Sequence, residues 1–481
     1  MKINKINKNI LGSNMSNETV LNGTTYQIDE IDDIESMILN AKLCEEEFKK
    51  YNSEKVDRIV KKVHEAGLEH AEELAEMAVK ETGMGVVEHK IIKNKFSAKY
   101  VYEYIKNLKT VGIISKDEEG GIIELAEPVG TVISIIPVTN PTSTTIFKTL
   151  ISLKTRNPVI HSPSSRAKNI CNYLAKILYD AAIDAGAPEY CIQCVKEPSR
   201  DKITKLMRDK RIGIILATGG ESLVNAAYSS GNPAIGVGPG NNPVYIDPHY
   251  DLDKAAKYII LSKTFDNGVI CASEQSLVLE KIIYEDAISS LVSNGGYLVP
   301  KKDVEKLKKV VWDYEKDRMN PEIVGKSAKY IAEKADIEVP DDTKVLLVEE
   351  KYVGRKYPFS REILAPLLTV YSVNNYMSAL NTCSALIENG GQGHTASIFS
   401  EDDDKVLTYA KSLEVSRIIV NSPASLAAIG GVLNKLPPSL TLGCGTKGKN
   451  ILSENINAQH LINIKRIAKM VHEDNLKEMN L

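Results

Sequence analysis

Gly130-Thr-Val-Ile-Ser-Ile-Ile-Pro137-Val-Thr-Asn140-Pro141-Thr-Ser-Thr144 is the stretch on which the fold turns. An apolar run from Thr131 to Val138 stops at Asn140-Pro141, and a hydroxyl-rich helix start follows. A strand with one wet face would alternate apolar and polar residues. A continuous apolar run leading into a helix instead predicts a parallel strand covered on both faces. The same alternation continues outward, with apolar runs at 158–161, 192–195, 212–217 and 243–247 separated by helical stretches. Together they predict an α/β architecture with a doubly wound, Rossmann-type sheet, whose ligands bind at the carboxyl ends of the strands.

Upstream the period is helical. Met37, Ile38, Ala41, Cys44 and Phe48 follow Ile34 at helix spacing, then Val56, Ile59, Val60 and Val63, then Leu74, Ala75, Met77 and Ala78. Glu81-Thr-Gly-Met-Gly85 breaks the third helix. A fourth is expected at 88–107, with Ile91, Ile92, Phe96, Tyr100 and Tyr104 on its buried side. Residues 111–115 and 121–125 flank an acidic turn and read as a hairpin. A second α/β domain is expected from apolar runs at 276–279, 344–348, 367–373, 396–399 and 418–420, and a late strand at 460–464. The expected division is a flexible polar tail (1–28), a cofactor domain (29–246 with 428–460) that includes the helical layer and hairpin, a catalytic domain (247–427), and an oligomerisation strand and tail (461–481). Hairpin and late strand are expected to pair across subunits of a homo-oligomer.

Composition narrows the function classes. At 481 residues the chain is long enough for two or three domains. Its 43% apolar and 26% charged residues are ordinary for a globular protein. A formal net charge of −3 gives no case for nucleic acid or an anionic membrane as partner. The apolar run at 129–138 is far short of the ~20 residues a membrane helix needs. Residues 1–22, rich in Asn and Lys, do not read as a secretory signal, so a cytoplasmic location is expected. Seven irregularly spaced cysteines do not make a disulfide framework. Cys191 and Cys194 form a lone CxxC without a second pair or a histidine at finger spacing, so no metal is expected there.

Three segments carry candidate chemistry. In Phe265-Asp-Asn-Gly268-Val-Ile-Cys271-Ala-Ser-Glu-Gln-Ser276, Gly268 permits a tight turn that can project Cys271 into a cleft. Cys271 then reads as a nucleophile or, equally, as a buried cysteine beside a turn. Asn140, at a strand's carboxyl end, can donate to a developing oxyanion, or form an Asx turn before Pro141. In Ala217-Thr218-Gly219-Gly220-Glu a strand meets a helix whose free N–H groups suit a pyrophosphate, but GxGxxG is absent and the signal is weak. His394, in Gly390-Gly-Gln-Gly-His-Thr395, reads as a solvated loop histidine, and Glu362 and Lys148 as ordinary surface charges.

Together these segments resemble the aldehyde dehydrogenase superfamily, in its coenzyme-A-acylating branch, and most of all the N-terminal half of bifunctional aldehyde–alcohol dehydrogenases. The likeness runs over about residues 35–469 and is densest at 126–156, 217–242, 262–276 and 438–464. It implies Cys271 as the nucleophile that carries a thioester, Asn140 with the Cys271 backbone N–H as the oxyanion site, and His394 in proton transfer or on the CoA side. It implies NAD, with NADP as the alternative, held near Pro137, Ser162, Thr218, Gly219 and Gly220, with Glu362 on the nicotinamide ribose and coenzyme A as co-substrate. The loop at 161–166 follows no readable rule for NAD against NADP. Hydrolytic members carry a glutamate in Glu-Leu-Gly-Gly-Lys; aligned on Asn242-Pro243, Val237 stands in its place. Without that base, water attacks a thioester poorly and a thiol becomes the natural acceptor.

The reaction implied is reversible conversion of a short acyl-CoA, acetyl-CoA by default, and NAD(P)H into an aldehyde. Its competitors are hydrolytic aldehyde oxidation and a structural subunit of a filament or of a bacterial microcompartment, the latter opposed by the presence of Cys271, Asn140 and Glu362. The sequence departs from the branch at Gly443-Cys-Gly-Thr-Lys447-Gly, where Lys447 replaces a tryptophan, and at 422–428. Both departures bear on the acyl pocket or a subunit contact. The chain ends at Leu481, before the iron-dependent alcohol dehydrogenase half of the bifunctional enzymes, so that activity is expected on a separate partner.

Overall fold

The strand Thr131–Ile136 is buried at every position, and the helix after it, Pro141–Lys154, is buried all round. A helix without a polar face has to lie inside the protein. This one starts with Pro141, whose missing N–H costs nothing at the first turn. It ends before Arg156, which adopts a left-handed φ of 59°. Phe147, Leu150 and Ile151 pack it against Val60, Val63 and Leu174 of neighbouring helices. The computed structural model describes residues 18–21, 24–27, 33–472 and 474–475.

Around this pair lies a five-stranded parallel sheet, in the order Ile192–Cys194, Val159–Pro163, Thr131–Ile136, Ile212–Thr218, Ala234–Val237. The chain enters at the middle strand, moves outward twice, then returns to the other side of the middle strand. The crevice at that reversal, between residues 137–140 and 218–220, is where open α/β sheets bind ligands. A second parallel sheet has seven strands: Gly296–Leu298, Val345–Glu349, Leu367–Val373, Glu274–Glu280, Asn242–Ile246, Gly393–Phe399 and Val415–Val420. The antiparallel strands Ile462–Ala468, Ile122–Pro128 and Gly112–Asp117 form a third, separate sheet.

Several expectations need correction. The run at 243–247 belongs to the second sheet, between Glu274–Glu280 and Gly393–Phe399. An apolar strand has no local mark of which sheet receives it, so the crossover falls before Asn242 and not after residue 246. The late strand pairs with the hairpin inside one chain, Ile462 opposite Pro128 through Ala468 opposite Ile122. Most of the expected tail, 1–28, lies outside the described residues, but Glu18–Leu21 and Thr24–Gln27 form an antiparallel hairpin within it.

The fourth helix buries Phe96 as expected but not Ile92 or Tyr100. Val87–Lys95 and Val101–Ile105 are joined by a π turn, Phe96–Tyr100. Lys90, Lys93, Asn94 and Ser97 point inward, while Ile92 and Tyr100 are exposed. The lysines have a buried carboxylate to meet, Asp266. Lys148 is likewise buried, not on the surface: its Nζ donates to the carbonyls of Ile135 (2.7 Å) and Leu216 (2.9 Å). Cys191 and Cys194 are free thiols, and burial pushes Cys191 up to about 12, which leaves it unreactive.

Candidate active site

The helix Leu252–Thr264 is capped by Asp251, which accepts from Lys254 N at 3.0 Å. Beyond it the backbone turns through three left-handed residues, Asp266 (φ 50°), Asn267 (φ 53°) and Gly268 (φ 71°). Two of these carry a Cβ, so outside contacts must hold the turn. Asp266 N donates to His89 Nδ1 (2.9 Å), Val86 N to Asp266 Oδ1 (2.8 Å), and Asn267 Nδ2 to Gly325 O (2.9 Å). At Gly268 a side chain would sit 2.8 Å from the Ala365 carbonyl. The turn delivers Cys271 to the mouth of a cleft of about 430 Å³.

Pro137, Asn140, Ser162, Thr218, Gly219, Gly220, Cys271 and Glu362 all line this cleft. His394 stands behind it, buried in the strand Gly393–Phe399, and not in a solvated loop. Its Nε2 lies 3.2 Å from Cys271 Sγ and its Nδ1 2.9 Å from Thr395 Oγ1. Burial pushes the Cys271 thiol up to about 12, with Glu362 adding to the rise and Arg417 opposing it. Burial pulls His394 down to about 3, and Arg417 assists. Both partners are therefore neutral at pH 7. In the tautomer that carries the hydrogen on Nδ1, the thiol donates to Nε2 and Nδ1 donates to Thr395 Oγ1. The pair is a neutral imidazole against a neutral thiol, not a preformed ion pair.

Glu362 is the one carboxylate among the described residues lining the cleft. Its Oε1 accepts from Gly240 N at 2.9 Å, and burial raises it to about 7. Val237 lines the same cleft. Ser162 Oγ and Thr218 Oγ1, at the carboxyl ends of two strands, are buried without a protein partner. Unpaired hydroxyls in a cleft fit a polar ligand that would satisfy them. Gly220 caps the helix Glu221–Tyr228, and a side chain there would meet nothing within 4 Å.

Compared with known proteins, residues 13–308 match the aldehyde dehydrogenase family. The chain superimposes on an acetylating aldehyde dehydrogenase from Geobacillus thermoglucosidasius with a TM-score of 0.90 and 44% identity, covering 93% of this chain and 98% of that one. The chain belongs to the aldehyde dehydrogenase family. It is also 45% identical over 447 residues to the aldehyde-alcohol dehydrogenase of Clostridium acetobutylicum, covering 92% of this chain but 51% of that protein. It thus spans about half the length of the curated relatives it matches first. A third likeness is a Rhodopseudomonas palustris propionaldehyde dehydrogenase, solved with bound CoA and an acylated cysteine (TM-score 0.83, 26% identity, covering 91% and 97%).

Sequence reading missed two parts of this aldehyde dehydrogenase site. Lys90 and Lys93 both donate to Asp266 Oδ2; Lys90 also donates to Thr139 O (3.0 Å) and Lys93 to Asn140 Oδ1. Burial pulls Lys93 down to about 7, with Asp266 opposing and Lys90 adding. Arg417, also buried, donates to the carbonyls of His394 (3.0 Å), Gly443 and Ser453 (3.0 Å) and to Asn455 Oδ1 (2.8 Å). No local pattern announces either, because the partners lie far off in sequence. Lys447, expected at a pocket wall or a subunit contact, pairs with Glu414 at the surface (2.5 Å) and does not line the cleft.

Proposed function

We propose that this chain is a coenzyme-A-acylating aldehyde dehydrogenase. It interconverts a short acyl-CoA, acetyl-CoA by default, and NAD(P)H with an aldehyde, CoA and NAD(P)+. The observation that carries this reading is the Cys271–His394 pair in a cleft whose single lining carboxylate is tied to a backbone N–H. Cys271 Sγ attacks the thioester carbonyl and passes its proton to His394 Nε2. The C–S bond to CoA breaks, CoA leaves with that proton, and the acyl group stays on Cys271 as a thioester. Asn140 Nδ2 and the Cys271 backbone N–H donate to the oxyanion of each tetrahedral state, a contribution of about 3 kcal/mol for a donor of this kind. The nicotinamide supplies or accepts the hydride when bound. In the reductive direction the tetrahedral oxyanion on Cys271 collapses, the aldehyde leaves as the C–S bond breaks, and the released thiolate takes up one proton from solvent. With Val237 in place of a base, water stays inactive and a thiol is the acceptor.

Ser162, Thr218, Gly219 and Gly220 would hold the cofactor's phosphate and ribose groups, Pro137 would border it, and Glu362 would accept from the nicotinamide ribose. The proposal includes a homo-oligomer formed through the exposed apolar residues Ile113, Ile464 and Ile467 of the three-stranded sheet. It also includes a cytoplasmic setting and an alcohol dehydrogenase activity that takes the aldehyde. No helix among the described residues is long and apolar enough to cross a membrane. The test is loss of NADH absorbance with acetyl-, propionyl-, butyryl- and succinyl-CoA, for the parent and Cys271→Ala. Turnover by the alanine variant, or acid formation from aldehyde and NAD without CoA, would overturn the reading.

A further inference from the structure

The helix Val87–Lys95 belongs to the first domain's helical layer, while Asp266 belongs to the turn that carries the nucleophile. Lys90 and Lys93 join the two across 176 and 173 residues of sequence. Asp266 takes both lysine amines on Oδ2 and the Val86 N–H on Oδ1, so both of its oxygens are satisfied. Lys93 goes further and donates to Asn140 Oδ1. In its protonated form Lys93 has hydrogens to give and no lone pair to offer, so only the oxygen of the Asn140 amide can face it. With Oδ1 held there, Nδ2 faces the other way, 3.0 Å from Thr139 Oγ1 and 3.5 Å from Val269 O in the nucleophile loop.

We propose that Lys93 is a positioning residue that sets which end of the Asn140 amide meets the oxyanion. This rests on Asn140 being the oxyanion donor. Without Lys93 the amide is free to rotate half a turn and present Oδ1, an acceptor, to the developing negative charge. A site that holds its donor ready loses no rate to reorganisation. Asp266 keeps Lys90 when Lys93 is removed, so the left-handed turn retains an ion pair and the variant folds.

The test is a double-mutant cycle on kcat for acetyl-CoA reduction. Asn140→Ala is expected to lower kcat about 100-fold. Lys93→Met is expected to lower it about 10- to 100-fold, with KM for acyl-CoA and NADH and the rate of Cys271 alkylation by iodoacetamide each within about twofold of the parent. Because Lys93 acts through Asn140, the double variant should be no slower than Asn140→Ala, within about threefold. Losses that multiply, or a Lys93→Met enzyme with parental kcat, would overturn the proposal. Parental kcat in Asn140→Ala would instead remove the oxyanion reading itself, and this proposal with it. Should Lys93→Met fail to fold, Lys93→Leu, which likewise has no donor, enters the same cycle under the same criterion.

Discussion

Replacing Gly240 by alanine tests the closest approach in the site. A Cβ there would lie 2.0 Å from the Cys271 carbonyl oxygen and 3.4 Å from His394 Cγ. Ordinary contact begins near 3.4 Å, so one of the two backbones has to retreat by more than about 1 Å, in an interior packed without slack. Gly240 N also holds Glu362 Oε1, so a shift on its side carries the carboxylate along. A misplacement of about 1 Å at reacting atoms costs about 100-fold in rate, or about 2.7 kcal/mol of barrier. Overpacking adds about 1–3 kcal/mol of lost stability. The measurements are steady-state NADH oxidation with acetyl-CoA, and thermal melting. Gly240→Ala should fall about 100-fold in kcat and melt about 1–3 °C lower, at about 1 °C per kcal/mol for a chain of 481 residues. A variant within twofold of the parent in kcat and with an unshifted melting temperature would refute the close approach of loop and nucleophile.

Two further outcomes follow from the titrating groups. With the Cys271 thiol pushed up to about 12, only about one molecule in 10⁵ is thiolate at pH 7 in the free enzyme. Its alkylation by iodoacetamide should therefore rise about tenfold per pH unit from 6 to 9 without levelling, and a plateau below pH 8 would contradict a neutral pair. Glu362, raised to about 7 by burial, becomes a carboxylate only as pH rises through that value. As the ribose acceptor it should make KM for the cofactor fall from pH 6 to pH 8 in the parent, whereas Glu362→Gln should show a higher and flat KM. An unchanged pH dependence in the glutamine variant would remove Glu362 from that role.

The strands and most helices were legible because their signals are local. Continuous apolar runs mark strands covered on both faces, and apolar residues recurring every three or four positions mark helices. Cys271 and Asn140 were singled out from their segments and Glu362 by a family likeness alone, and the cleft brings them together. What the tertiary structure decided are pairings between distant residues. Asn242–Ile246 joins the second sheet, since strand pairing depends on which edge is free and not on composition. The fourth helix turns its lysines inward because Asp266 waits there, against the direction its isoleucines suggest. His394, unremarkable in its own segment and marked only by the family likeness, comes to stand 3.2 Å from Cys271 Sγ, 123 residues away. Periodicity reports whether a residue meets water or protein, but not which partner it meets, and the chemistry of this site lies in the partners.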